Sequence, residues 1–225
     1  MSYNYTEGGP TAPIGGAPDP AIGQAGLMDV VNSWITSVTK PAIPTYAAEV
    51  PRATQNRLIM SVGIVTVVAA VAGLLGGLFH GGAVTGLFGG LIGTPIGFFL
   101  GAGLFYLCGK LMKGTAGFME FAWVWSTIWA PATIISDVVG LIPVLGGWIP
   151  VLGGLLSLLA GLVWLAVFVY AMYLYYLVNQ AVQRLDSSNA LIATLIPVAV
   201  IVVLGIVGIV LGAGAALLAT GAISR

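Results

Sequence analysis

The sequence predicts an all-α polytopic membrane protein: a bundle of five transmembrane helices with an N-terminal amphipathic helix. Charged residues make up only 6% of the 225 residues, against about a quarter in soluble domains. The mean hydropathy is +1.06. Five apolar runs are each long enough to cross a hydrocarbon core about 30 Å thick. Single strands would leave backbone groups unpaired in lipid, so these runs are expected to be helices.

The N-terminal part divides into two segments. Residues 1–27 are rich in Gly, Pro and Ala and have no helical or strand period, which predicts a flexible cytoplasmic tail. Residues 28–57 begin with apolar side chains at helical spacing among polar ones: Val30, Val31, Trp34, Ile35 and Val38. This pattern predicts an amphipathic helix that ends at Pro41, followed by an irregular, proline-containing linker. Trp34 suits either a membrane interface or packing against the inner face of the membrane domain.

The membrane domain is predicted to cover residues 58–225. Its five spans are expected at 58–79, within 83–109, at 118–142, at 152–178 and within 190–220. Small residues recur four apart in two of them: Gly89, Gly93, Gly97 and Gly101 in the second span, and Gly208 and Gly212 in the fifth. Such stripes let helix backbones approach closely. They predict helix packing within the bundle or, alternatively, in a homo-oligomer.

The positions of the basic residues predict the orientation. With five spans, six of the seven lie on one side: Lys40, Arg52, Arg57, Lys110, Lys113 and Arg184. Because cytoplasmic segments of membrane proteins carry the excess of Lys and Arg, the N-terminus is expected in the cytoplasm and the C-terminus outside.

Three charged residues flank the Gly-rich turn between the second and third spans. Lys110 and Lys113 are expected to hold this turn at the cytoplasmic face, near anionic headgroups. Glu120 is expected to lie against the N-terminal dipole of the third span, where a lysine across the turn could pair with it. Together with Arg184, these residues form a candidate cytoplasmic face, which could also dock a partner.

The residues that usually carry chemistry are scarce. The chain has one His and one Cys, so neither a nucleophile–base pair nor a metal site is predicted, and no cofactor is expected. The zero net charge gives no basic surface for nucleic acid. The most buried polar candidate is Asp137, which could be a locally hydrogen-bonded acid or part of an ion path.

Several motifs together resemble the YIP domain family, five-span membrane proteins named for interaction with Ypt/Rab GTPases. They are "VNSWITSVTKP" before the first span, "YLCGKLMKGTAGFMEF" between the second and third, Ala130–Pro131 in the third, and "QAVQRLDSSNA" between the fourth and fifth. The resemblance covers about residues 27–211. It implies membrane organisation and protein–protein interaction. The chain lacks the "YGP"-type motif of the eukaryotic members, so it is more similar to the prokaryotic branch, and a Rab-type GTPase partner is not expected.

The sequence and the resemblance lead to one hypothesis and one alternative. The hypothesis is a non-enzymatic integral membrane protein, in a prokaryotic plasma membrane, that contacts lipids and binds other membrane proteins or further copies of itself as a scaffold or accessory subunit. The alternative is a small-solute or ion transporter or channel, based on Asp137 and on Pro131 within the third span.

Overall fold

The computed structural model describes residues 26–80, 82–146 and 150–223, except for the side chains of residues 80, 145, 146, 150, 204, 205 and 208–223. Of the predicted tail at 1–27, residues 1–25 lie outside the described residues, and Leu27 already begins a helix. The described elements are all helical: α1 (Leu27–Thr39), α2 (Ile43–Glu49), α3 (Gln55–His80), α4 (Ala83–Leu111), α5 (Phe118–Gly146), α6 (Pro150–Ala181) and α7 (Ser187–Ile223). The predicted all-α class is therefore confirmed.

Four of these helices are long and apolar enough to cross a membrane. The segments concerned are Gln55–Phe79, Ala83–Leu111, Phe118–Val144 and Val151–Ala181. Each exceeds the roughly 20 residues that a 30 Å hydrocarbon core requires. The described apolar stretch of α7, Ser187–Val203, is shorter. The fifth span therefore remains a prediction.

The linker after α1 is the main difference from the expected secondary structure. Residues Ile43–Glu49 form α2, and Val50–Arg52 form a 3₁₀ turn, where irregular backbone was expected. Pro44 lies in the first turn of α2, where a backbone N–H has no intrahelical partner and its loss costs nothing. Proline at this position therefore starts a helix and does not prevent one.

The long helices alternate in direction, with α5 packed between α3 and α6. The first part of α4, up to the π-helical turn at Gly89–Gly93, packs on α3, and the second part, Thr94–Leu111, lies against α7. The starts of α3, α5 and α7 and the ends of α4 and α6 consequently share one end of the bundle. We call this the charged end, because Arg57, Lys110, Glu120 and Arg184 lie there.

The core is concentrated toward the charged end and is largely aromatic. Trp125 of α5 lies between Phe98 of α4 and Tyr175 of α6, with ring centroids 5.3 Å from each. The rings of Trp125 and Tyr175 are nearly parallel, at 13°. Farther from this end, α6 exposes apolar side chains such as Leu158, Leu162 and Leu165, as a lipid-facing helix does.

Candidate functional site

Helices α1 and α2 form an antiparallel hairpin that packs on the charged end of the bundle. Hydrogen bonds from two side chains, Ser33 and Tyr46, join its arms. The Ser33 hydroxyl donates to both carboxylate oxygens of Glu49, at 3.2 and 3.1 Å, and the Tyr46 hydroxyl donates to the carbonyl of Ser37, at 2.8 Å. We call this element the hairpin. It places polar side chains from the linker against α3 and α5.

Glu49 is the centre of the hairpin's contact with the bundle. Its side chain is buried, and its carboxylate accepts hydrogen bonds from Ser33, from Trp123 Nε1 at 3.3 Å, and from Arg52 Nη1 at 3.0 Å. We call these four residues the Glu49 network. A buried carboxylate is costly unless donors surround it. Two of the donors, Ser33 and Trp123, are themselves buried, whereas the side chain of Arg52 is 51% exposed and adds less.

Arg57 is the second buried charge at this end. Its side chain is only 5% exposed, and its Nη2 lies 4.0 Å from Asp29 Oδ2. The guanidinium also stands over the ring of Trp123, 5.7 Å from the centroid, a cation–π contact. Trp123 therefore donates to Glu49 with its N–H and accepts Arg57 with its ring face. One indole connects the start of α3 to the end of α2.

Two aromatic side chains fix the hairpin to the long helices. Trp34 is buried, and its Nε1 donates to the hydroxyl of Ser61 in α3, at 3.2 Å. Of the two positions considered for Trp34, packing against the bundle is the one observed. Burial raises the pKa of Tyr46, and Tyr170 and Tyr173 raise this pKa further. The Tyr46 hydroxyl consequently stays a neutral donor.

The predicted cytoplasmic-face residues lie in or next to two neighbouring links at the charged end, the link from α4 to α5 and the link from α6 to α7. Lys110 Nζ donates to the carbonyl of Gly114, at 3.1 Å, and stands 5.5 Å from the Tyr106 ring centroid. Glu120 accepts the backbone N–H of Gly117, at 2.9 Å, and thus stabilises the start of α5. Among the described residues, Glu120 makes no ion pair within 4.0 Å.

The two links are held together through Gln183. The backbone N–H of Thr115 donates to the Gln183 carbonyl, at 3.1 Å, and the Gln183 side chain packs on Gly109 and Gly114. A Cβ at Gly109 would lie 2.7 Å from Gln183 Nε2, so a side chain at this position would require the Gln183 side chain to move. The structure thereby brings the Lys113 and Arg184 links together, which spacing along the sequence did not indicate.

Lys113 and Arg184 are exposed, and both adopt the left-handed backbone region, with φ of 68° and 57°. For an L residue with a Cβ this conformation costs roughly 1–2 kcal/mol, and glycine avoids the cost. We expect Lys113→Gly to be more stable than Lys113→Ala by about 1 kcal/mol. Both variants lose the same charge, so the difference between their stabilities reports only the cost of the left-handed backbone conformation. Thermal unfolding in detergent measures it, and equal stability of the two variants would contradict the left-handed geometry.

The glycine stripe of α4 has open space beside most of its members. Among the described residues, a Cβ at Gly89, Gly93 or Gly97 would meet no atom within 4 Å, whereas one at Gly101 would lie 3.1 Å from the ring of Trp125. Whether the stripe packs within the bundle or in a homo-oligomer stays a prediction. The contacts of Gly208 and Gly212 lie outside the described residues.

The close helix approach is made by glycines that the spacing argument did not select. Gly73 of α3 and Gly86 of α4 face each other, so that a Cβ on either would overlap the carbonyl of the other. Gly90 lies equally close to the backbone of Ala70. Gly82, Gly86 and Gly90 also stand four apart, so the sequence does contain this signal. The sequence cannot show which of the two stripes on α4, the one that contains Gly86 or the one that contains Gly89, faces α3.

Asp137 lies in α5 and is partly buried. Its Oδ2 has no hydrogen-bond partner among the described residues. The expected local hydrogen bond is thus absent for this oxygen. No group of three or more His, Cys, Asp or Glu side chains that could hold a metal ion occurs in the described ranges.

The sequence does not predict the two buried charges, Glu49 and Arg57, or the Glu49 network. In the sequence, Arg52 and Arg57 indicate only the orientation in the membrane, and Glu49 falls in the linker that is predicted to be irregular. The sequence does single out Glu49 as a candidate, since it is one of only seven acidic residues in the chain. Its tryptophan partner lies 74 residues away, however, and nothing in the sequence indicates that pairing.

Comparison with known proteins gives one finding about the family. No curated protein and no solved structure matches the chain. The model of the Yip1 domain matches residues 38–211, which include the turn and second helix of the hairpin, the Glu49 network apart from Ser33, and the four long apolar helices. The match agrees with the resemblance found in the motifs. The chain therefore belongs to the Yip1 domain family, and is an integral membrane protein with several transmembrane helices.

Proposed function

We propose that this protein is a non-enzymatic scaffold or accessory subunit that binds other membrane proteins through the free face of α4. The observation that carries the proposal is that a Cβ added at Gly89, Gly93 or Gly97 would meet no heavy atom within 4 Å among the described residues, so the outer side of this stripe is open. The Yip1 domain family is not known as an enzyme family, which agrees with a binding role.

The physics of helix association supports this use of the face. Lipid tails are as apolar as leucine, so helices gain little by hiding apolar side chains from lipid. They gain from close packing, which small residues at four-residue spacing permit. The Gly73–Gly86 contact shows that this chain packs α3 on α4 in that way. The second stripe on α4 offers a similar surface to a helix from outside, either of a second copy or of another membrane protein.

The proposal includes five spans, with α7 as the fifth and the charged end in the cytoplasm. The full extent of α7, Ser187–Ile223, is 37 residues, more than enough to cross a bilayer. In this orientation six of the seven basic residues lie on the cytoplasmic side, as the positive-inside rule favours. Reporter fusions after residues 146 and 223 would test this topology. Both are expected outside, and a cytoplasmic reporter at 223 would contradict the fifth span.

We expect Gly93→Leu to weaken association with the partner helix, because a leucine side chain holds the backbones apart. The matched control is Gly103→Leu, since a Cβ at Gly103 also meets no atom within 4 Å but lies off the stripe. Gentle detergent extraction followed by native mass spectrometry measures the complexes. The wild type and Gly103→Leu should carry a partner or a second copy that Gly93→Leu loses. A wild-type chain that stayed monomeric under several mild conditions would overturn the proposal.

A further inference from the structure

A recess in the outer surface of the bundle lies below the turn of the hairpin. It has a volume of about 60 Å³ and an apolar wall formed by α5, α6 and the end of α1. Val38, Ile128, Pro131, Ala132, Tyr170 and Ala171 line it. The two alanines are small and the proline ring is compact, so α5 and α6 leave a gap between them. Tyr170 and Ile135, also in the wall, are exposed to the outside, so the recess opens toward lipid.

The exposed side chains of α6 give the depth of this recess. From Val151 to Tyr170 the large exposed side chains of α6 are apolar, and these 20 residues rise about 30 Å, the thickness of a hydrocarbon core. Beyond Tyr170, most side chains of α6 are buried, beginning at Ala171, although Tyr173 is still 49% exposed. We place the edge of the hydrocarbon layer near Tyr170, because aromatic side chains are enriched at that edge. The recess lies directly inside this edge, at the level of the upper acyl chain.

A basic residue follows closely on one residue of the wall. Lys40 is exposed in the turn of the hairpin, two residues after Val38, which lines the recess. The ion pairs within 4.0 Å among the described residues are Arg52–Glu49 and Arg57–Asp29, which leaves Lys40 without a carboxylate there. The Tyr170 hydroxyl donates to the Val38 carbonyl, at 2.6 Å, which ties the turn to α6. The turn that carries Lys40 is therefore held against the helix that forms part of the apolar wall.

We propose that this recess binds an anionic phospholipid, with an acyl chain against Pro131 and Ala132 and the headgroup phosphate beside Lys40. The recess faces lipid, so the hydrophobic effect does not determine which molecule occupies it. The occupant is selected by the packing of its acyl chain against the wall and by its attraction to the charge of Lys40. One basic residue near an anionic surface contributes about 1 kcal/mol, which corresponds to a roughly fivefold preference.

The test uses the full chain in nanodiscs of equal parts phosphatidylglycerol and phosphatidylcholine, with native mass spectrometry of the lipid that stays bound. We expect the wild type to keep one phosphatidylglycerol in preference to phosphatidylcholine. Lys40→Gln should lower this preference about fivefold, and Lys113→Gln, a loss of charge elsewhere at the same end, should not. Equal retention of both lipids by the wild type, or equal effects of the two lysine variants, would overturn the proposal.

The acyl-chain part of the proposal has its own controls. Ala132→Leu should fill the recess and reduce the retained lipid, whereas Ala166→Leu, on the exposed surface of α6, should leave it unchanged. A phosphatidylglycerol with a photoreactive group in its upper acyl chain tests the wild type without any substitution. Adducts are expected on the peptides that contain Pro131 and Tyr170. Adducts spread evenly over the lipid-facing helices would show non-specific surrounding lipid and would overturn the site.

Discussion

Gly73→Val is expected to destabilise the protein by about 3 kcal/mol or more, the upper range for overpacking a close contact. A Cβ on Gly73 would overlap the backbone carbonyl of Gly86, and a Cβ on Gly86 would overlap that of Gly73. Since the obstacle is backbone on both sides, no rotation of a neighbouring side chain can make room. Helices α3 and α4 would have to separate, which also removes the packing of Gly90 on Ala70.

Gly63→Val is the matched control, because Gly63 lies in the same helix and a Cβ there meets no atom within 4 Å. Gly63→Val makes the same change in helix propensity as Gly73→Val. We expect the free energy of unfolding of Gly63→Val to stay within about 0.5 kcal/mol of the wild type. Unfolding in mixed micelles by denaturing detergent measures both variants. Similar stabilities for the two valine variants would mean that α3 and α4 do not approach each other at Gly73.

The membrane class and the long helices could be predicted from sequence because the bilayer leaves few alternatives. An apolar run of 20 or more residues must be helical, and the basic residues limit the topology. The hairpin could not be predicted in the same way. Pro41, Pro44 and Pro51 look alike as helix breakers, but Pro44 and Pro51 stand in the first turns of helical segments. Only the position of a proline within its turn decides its effect.

The candidate site was predicted in part, for a related reason. The location of the exposed basic residues Lys113 and Arg184 could be predicted from the topology, since the distribution of charge along the chain determines the end of the bundle at which they lie. The buried contacts depend on the rotation of each helix about its axis. A rotation of α4 by less than a third of a turn decides whether Gly86 or Gly89 faces α3, because consecutive residues are 100° apart and these two are three apart. The sequence alone does not specify that angle.

The Glu49 network leads to the second large expected effect. Glu49→Gln should destabilise the protein by about 2–3 kcal/mol, the contribution of hydrogen bonds to a charged group. Glutamine keeps the shape of the side chain but has one acceptor oxygen and a donor amide. The Ser33 hydroxyl and the Trp123 N–H, both buried, would then compete for one oxygen. Glu120→Gln is the control, because its carboxylate makes only a local bond to Gly117, and a lost helix cap costs about 1 kcal/mol.

A double-mutant cycle separates the network from a general loss of stability. Trp123→Phe removes the indole N–H donor and keeps an aromatic ring in α5. If Trp123 donates to Glu49 as the structure shows, the loss for Glu49→Gln should be smaller in the Trp123→Phe background, with a coupling of about 1 kcal/mol. Since Arg57 stands over the same ring, Arg57→Gln should also be less harmful there, although it lies on another helix. Additivity of Glu49→Gln and Trp123→Phe to within about 0.5 kcal/mol would contradict the contact and, with it, the docking of the hairpin on α5.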